Sequence, residues 1–562
     1  MTLRKLISIG IALIVLSLMV IFFTQDYFVG KIPSIRLPET STDLFIKKSL
    51  TQWGTTPGAV IGEERIYTPF LVGSFYRGRN YQPAWSRDDD FVQAGLLIRA
   101  LEKASDDGLA PDHYHLPRLK ALMATVEPEK KLSDLRHLAE LDILLTDAFL
   151  TFGCHLSAGC AAPLTMDPAW FIQGRNVDVS SVLEQALEKK QVREALAGLR
   201  PEGAAYARLG NALAAYRELL SKGEWPPVTE GPTLRKGDRS ERVAELKKRL
   251  ADSGDLEAGA AMEADLFDDE LEGAVISYQK RHGLAPDGVA GRETLDVMNV
   301  PLSQRLRQIE LNMERLRWIS GNPEPCSVVI NIADFELDVR EAGESVLSMK
   351  VVVGKPYWDT PVFSARITSL VLNPAWNVPD SIAKKELLSK IRKEPDYISK
   401  QNITVLRGWR KDGPKIDPQT VDWATITPKN LLYRFRQEPG LLNPLGSIKF
   451  MLPNKFDVYL HDTPARSLFS KPVRTFSHGC IRIEKPIELA AYVLRNDPGW
   501  TREKLLAALK RGKEQTVRIS HPVNTCFIYL TAWVDEKGTL QFRNDIYGRD
   551  KLFDEALRRR TQ

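Results

Sequence analysis

Residues 476–484 read FSHGCIRIE, and the part played by the cysteine in this stretch decides how the C-terminal half of the chain is understood. Cys480 follows His478 and Gly479 and precedes Ile481, Arg482 and Ile483, an apolar alternation with the two-residue period of a β-strand. A lone cysteine in such a strand is ordinarily a small buried hydrophobe. With His461 and His478 it could instead be one of three zinc ligands, although no further Cys or His follows at a recognisable ligand spacing. The third reading is a nucleophile, and the setting favours it. A thiol with a pKa of about 8.5 is mostly protonated at neutral pH and needs a base and an electropositive surrounding.

His461, in DVYLHDTP 19 residues before the cysteine, supplies that base. On a strand Tyr459 and His461 point to the same face, so both line one cleft. Gly479 lets the backbone turn tightly beside the sulfur, and the N–H groups of Gly479 and Cys480 are then placed to face the oxyanion of a tetrahedral intermediate. That is acyl-transfer machinery. Arg482 has two readings: it pairs with Glu484, or it clamps a substrate carboxylate.

Working outward, residues 326–535 read as a β-rich domain. In VVINIADFELDV the residues Ile330, Ile332, Phe335, Leu337 and Val339 recur at period two, and EAGES turns the chain before SMKVVVG. Residues 379–438 interrupt this pattern with ELLSKIRKEPDY and many charges, which reads as a helical and loop-like insertion over or beside the sheet. Before the domain, the connecting segment 301–325 opens with PLSQRLRQIELNMERLRW (residues 301–318), an amphipathic helix. Residues 231–300 form a compact block. Val243, Leu246 and Leu250 share one helical face and Leu271, Ala274, Val275 and Tyr278 another. Gly283 serves as a C-cap, PDG turns the chain, and a third helix starts near Arg292. Residues 31–230 repeat apolar positions at three- and four-residue steps, as expected of a mostly helical scaffold, and FYRGRNYQPAW reads as a packed loop between helices. A C-terminal segment, 536–562, closes the chain.

The motifs resemble a known family. His461 followed at this spacing by SHGCIR is similar to the active-site signature of the L,D-transpeptidases of the YkuD type, and residues 351–379 and 437–454 extend the match. YQKRHGLAPDGVAGRETL resembles the small three-helix peptidoglycan-binding module. Its only histidine is His282 and it holds no cysteine, which argues against a zinc hydrolase there. The whole layout resembles the large membrane-anchored YcbB-like class. The resemblance implies Cys480 as nucleophile, His461 as general base, and His478, Gly479 and Cys480 as the backbone of the oxyanion hole. Ser477 and Arg482 take supporting positions. It also implies that a backbone carbonyl orients the base, so Asp462 need not complete a triad. The implied reaction joins peptidoglycan stem peptides by a 3→3 crosslink and calls on no metal or organic cofactor. Water would make the enzyme an L,D-carboxypeptidase; a D-amino acid or a lipoprotein lysine are further acceptors. A wall-binding scaffold without activity is the non-enzymatic alternative.

Composition and the N-terminus set the compartment. At 562 residues, with 43% hydrophobic and 27% charged, the chain is a multidomain α+β globular protein. A net charge of +5 against 77 basic and 72 acidic residues lacks the concentrated basic face of a nucleic-acid binder. Residues 6–23 carry no charge over 18 positions, enough helix for roughly 27 Å of a ~30 Å hydrocarbon core. Arg4 and Lys5 precede it, so residues 1–30 read as a cytoplasmic tip and inner-membrane anchor, with a cleaved signal peptide the alternative that the following TQDYFVGK, lacking a small-x-small site, disfavours; the remainder is then in the periplasm, where wall-synthesis proteins are expected partners. The five cysteines make no disulfide framework; in an oxidising compartment Cys154 with Cys160 and Cys326 with Cys526 are the available pairs, leaving Cys480 over.

Overall fold

The computed structural model describes residues 41–560, apart from 54–57, 86–89, 126–134, 161–162, 173, 258–263, 320–325, 395 and 409–412. The expected anchor, residues 6–23, lies outside the described residues.

The helical N-terminal region packs around α1 (Leu135–Ala158), whose Ile143, Leu144, Ala148, Phe149 and Phe152 are fully buried. Among the described residues α1 is the one helix long and apolar enough to cross a membrane, and its apolar window is 83% buried by the helices around it. Its polar residues are buried with partners. Asp142 accepts from Tyr76 Oη at 2.6 Å and from the N–H of Trp85 at 2.9 Å, and Thr146 Oγ1 accepts from Trp85 Nε1 at 2.9 Å. The aromatic stretch at residues 75–85 thus packs against α1, but it is a loop only after Gly78: Phe75 to Gly78 are the last turn of a helix, Pro69–Gly78. The helical region does not end at a clean boundary: Trp170 is fully buried against Trp318, and Phe171 N–H donates to Val362 O in the β-rich domain.

A second long helix, α2 (Ala204–Ser221), leads to the small block, where α3 (Glu241–Asp252), α4 (Asp269–Arg281) and α5 (Arg292–Met298) enclose one core. The seven apolar positions expected on the two faces are all buried. Asp268 caps α4 by accepting from Leu271 N–H at 2.9 Å, and Gly283 leaves it with φ +68°. The block does not swing free. His282 stacks between Tyr278 and Phe542, with ring centroids 3.8 and 5.5 Å away, and Arg543 donates to Arg281 O, tying the block to the β-rich domain.

The connecting helix α6 (Leu302–Ile319) is a buried spine rather than an exposed linker. Arg317 reaches Glu314, the Asp107 carbonyl and Tyr206 of the helical region, while Asn312 exchanges hydrogen bonds with Thr531 of the β-rich domain.

The β-rich domain begins with β1 (Val328–Asn331), β2 (Glu336–Glu341), β3 (Glu344–Gly354) and β4 (Phe363–Leu372). After the insertion come β9 (Ile448–Met451), β10 (Leu460–His461), β11 (Thr475–Ser477), β12 (Ile481–Ile483) and the long β13 (Gln515–Ile528). The nine strands order as β11-β3-β12-β10-β9-β4-β13-β1-β2, and β2 pairs back onto β3, so the sheet closes on itself around its valines and isoleucines. Residues 532–560 add the hairpin β14 (Ala532–Val534) and β15 (Leu540–Phe542) and a helix, α7 (Arg549–Arg560), whose Phe553 packs on Trp318; the C-terminal segment joins this same core.

The insertion departs from expectation. It is not merely helical and loop-like: β5 (Trp376–Asn377), β6 (Ile403–Arg407), β7 (Lys415–Ile416) and β8 (Tyr433–Gln437) form a four-stranded antiparallel sheet in the order β5-β8-β6-β7. It has its own core, including Leu388, Ile391, Val405 and Phe435. The charges that obscured these strands, Arg407 and Lys415 among them, are on their exposed positions.

Cys326 and Cys526 form a disulfide across 200 residues of sequence. Cys154 and Cys160, the other available pair, are not joined. In the chain-entropy account a loop of that length stabilises the fold by about 5 kcal/mol. Replacing both Cys326 and Cys526 by Ser is expected to lower the unfolding midpoint markedly in a calorimetric scan, and reductant is expected to do the same to the parent chain alone. At the spine, Arg317→Ala strands the Glu314 carboxylate in the interior, which costs about 3–5 kcal/mol; denaturant unfolding measures it, and a change below 1 kcal/mol would contradict the role given to this residue.

Candidate active site

Strand register builds the site. Lys449 on β9 is the antiparallel partner of His461 on β10, and His461 is the parallel partner of Arg482 on β12. Directly paired residues share a face of the sheet, so these three side chains form a row. Phe450, Leu460 and Ile481, each one position away, point the other way and are fully buried in the core. Stepping two residues back along β10 and the chain entering β12 puts Tyr459 and Cys480 on the row's side. Tyr459 and His461 do share a face, with ring centroids 5.6 Å apart.

These residues line a cleft of about 360 Å³. Trp358 and Trp376 are among its walls, and Pro379, Ser381 and Ile382 bring the insertion to its edge. Sequence reasoning placed Cys480, His461, Tyr459, His478, Ser477 and Arg482 here, and all six line it. It missed Lys449. The signal was present in SIKFML, where a lysine alternates with Ile448 and Phe450 on a strand, but periodicity alone reads it as a solvated outer position.

The turn carrying the cysteine is fixed by hydrogen bonds. Ser477 Oγ donates to Cys480 O at 2.5 Å, Thr360 Oγ1 donates to Gly479 O at 2.9 Å, and Lys355 N–H donates to Ser477 O at 2.9 Å. Gly479 has φ +106°, a conformation glycine adopts without a Cβ penalty. Its N–H donates to Ser477 Oγ at 3.1 Å. The Cys480 N–H has no hydrogen-bond partner among the described residues.

His461 Nδ1 lies 2.6 Å from the Asp462 carbonyl, which can only accept, so Nδ1 carries the proton and Nε2 presents its lone pair. The Asp462 carboxylate is occupied elsewhere, accepting from Ser447 N–H and Oγ at 2.8 Å each, and completes no triad. Burial, then the Arg482 and Lys449 cations, push the His461 pKa down to about 3. Burial pushes the Cys480 thiol up, against hydrogen bonds from Tyr459 and the fields of Lys449 and Arg482. Both shifts favour the uncharged forms, a thiol and a neutral imidazole.

His478 points to the insertion: its Nε2 lies 2.6 Å from Glu386 Oε1, and its ring meets Trp358 edge-on at 5.3 Å. Arg482 does not pair with Glu484, whose carboxylate accepts from Lys350 N–H; its Nε is buried without a partner. No group of three His, Cys, Asp or Glu side chains among the described residues is placed to hold a metal ion.

The resting protonation states give an expected pH profile. Alkylation of Cys480 by iodoacetamide should rise about tenfold per pH unit between pH 7 and 9, because the thiolate fraction does. A rate flat from pH 5 to 8 would indicate a preformed thiolate–imidazolium pair instead.

Three stretches of the chain match known domains. Residues 326–503 match the L,D-transpeptidase catalytic domain (YkuD), residues 239–298 a "Putative peptidoglycan binding domain", and residues 71–213 a "Scaffold domain". A "Putative L,D-transpeptidase" of Haemophilus influenzae is 34% identical over 264 residues, covering 46% of this chain and 52% of that protein. The N-acetylmuramoyl-L-alanine amidase CwlM of Mycobacterium tuberculosis is 37% identical over 76 residues, 12% of this chain and 19% of that one. The chain thus spans about half the length of the first of these relatives and less of the second. Among solved structures, an L,D-transpeptidase from Stackebrandtia nassauensis is 15% identical with a TM-score of 0.20, covering 54% of this chain and 97% of its own. The chain carries a YkuD-type L,D-transpeptidase catalytic domain together with a peptidoglycan-binding domain.

Proposed function

We propose that the protein is a peptidoglycan L,D-transpeptidase that forms 3→3 crosslinks through a thioester on Cys480. The observation that supports this most is the strand register, which brings Cys480, Tyr459 and His461 to one cleft within the matched catalytic domain. Cys480 Sγ attacks the carbonyl at the L-centre of diaminopimelate, the third residue of a tetrapeptide stem, and its proton passes to His461 Nε2. The oxyanion meets the Cys480 N–H. Collapse breaks the amide bond, the proton goes to the departing amine, and D-alanine leaves. The side-chain amine of a second diaminopimelate then attacks the thioester, losing its proton to His461 and freeing the thiol.

Aminolysis must outrun hydrolysis, so the cleft has to exclude water and position the amine. The insertion serves as the lid: it walls the cleft and is latched to the catalytic turn by Glu386 and His478. The disulfide supports a site of action outside the cytoplasm. The anchor at residues 6–23 and the peptidoglycan-binding domain would hold the enzyme to a substrate that cannot diffuse to it, near the wall-synthesis proteins of the inner membrane.

Purified protein incubated with tetrapeptide-bearing muropeptides is expected to yield crosslinked dimers, resolved by mass, and Cys480→Ala none. Tripeptide alone would make it an L,D-carboxypeptidase; exchange products would point to a D-amino acid or lysine acceptor; no product from folded protein would leave the wall-binding scaffold. Removing residues 379–438 is expected to raise the ratio of hydrolysed to crosslinked product, and an unchanged ratio at an unchanged rate would refute the lid.

A further inference from the structure

Two cations sit in the cleft, neither of them in an ion pair among the described residues. Lys449 and Arg482 flank His461 in the row set by β9, β10 and β12, and both line the cavity that holds Cys480. The Lys449 ammonium rests over the Tyr459 ring, 3.8 Å from its centroid, and makes no ion pair among the described residues. Arg482 Nε is buried and unpartnered. The neighbouring acids are committed elsewhere: Glu514 to Arg436, Glu386 to His478, Asp462 to Ser447 and Arg466, and Glu484 to Lys350 N–H. Asp457 lines the same cleft without pairing to either cation. Both residues are only half-buried, but cations partly withdrawn from water and left unpaired are costly, and a guanidinium with an orphaned N–H is suited to an incoming carboxylate.

We propose that Lys449 and Arg482 form a carboxylate-binding subsite on the floor of the cleft, which seats a free carboxylate of the acyl donor beside Cys480. Which carboxylate is bound rests on the transpeptidase reading, where a tetrapeptide stem offers two: that of the leaving D-alanine and that on the side chain of the third residue. Seating either also neutralises the cations that oppose a proton on His461, so the base strengthens when the donor is in place.

Iodoacetate and iodoacetamide are nearly isosteric and both alkylate Cys480 with loss of iodide, but only the first is an anion. Relative to glutathione, the iodoacetate-to-iodoacetamide rate ratio is expected to be at least tenfold higher for the parent protein, to fall to the glutathione value in Lys449→Met, and to be retained in Lys449→Arg. A parent ratio equal to that of glutathione, or one unchanged in Lys449→Met, overturns the subsite. Tetrapeptide donors amidated at one carboxylate or the other then identify the group: amidation of the seated one should raise KM about tenfold in the parent and leave Lys449→Met unaffected. If the parent does not turn over even the unmodified tetrapeptide donor while the alkylation ratio stays high, the subsite stands and the transpeptidase reading falls.

Discussion

The pairing of three short strands is the constraint on which the catalytic geometry depends. Strands β9, β10 and β12 align Lys449, His461 and Arg482 in one row, and the period of two that sends Phe450, Leu460 and Ile481 into the core delivers the polar set to the cleft. A slip of one residue in β10 would bury His461 in the core and turn Leu460 outward. Register is thus enforced by hydrophobic burial, and the chemistry inherits its precision from packing that has no chemical role. The tight turn at Gly479, held by Ser477 and Thr360, then brings the sulfur to the same face.

The surrounding domains form one body around a single helix. Spine α6 contributes Trp318 and Leu311 to the catalytic core, Met313 and Ile309 to the joint with α2, and Arg317 to the helical region. The peptidoglycan-binding block is fastened through the His282 stack and Arg543. A block held this way keeps a fixed distance and angle to the cleft, where a flexible tether would not.

Much of this was legible in the sequence because the signals were periodic or chemically specific. The alternation at residues 328–339, the seven apolar positions of the small block and the SHGC turn each carry a local pattern that survives into the structure. What was not legible depended on contacts distant in sequence. Lys449 looks like any solvated strand lysine until its partners across two strands are known. The insertion's sheet was masked by charged residues on its outer positions. That Ser477 Oγ accepts from the Gly479 N–H is likewise visible only once the turn is folded. The membrane anchor lies outside the described residues, and its reading rests on hydropathy and flanking charge alone.

Acyl transfer from Cys480 is the central claim, and trapping the acyl-enzyme tests it most directly. Protein mixed with a tetrapeptide donor in the absence of an acceptor amine, quenched in acid and weighed intact, should gain the mass of the donor less D-alanine. The gain should map to the peptide that contains Cys480 and vanish on treatment with hydroxylamine. Folded protein that gains no mass, or a gain that persists in Cys480→Ala, would contradict the account.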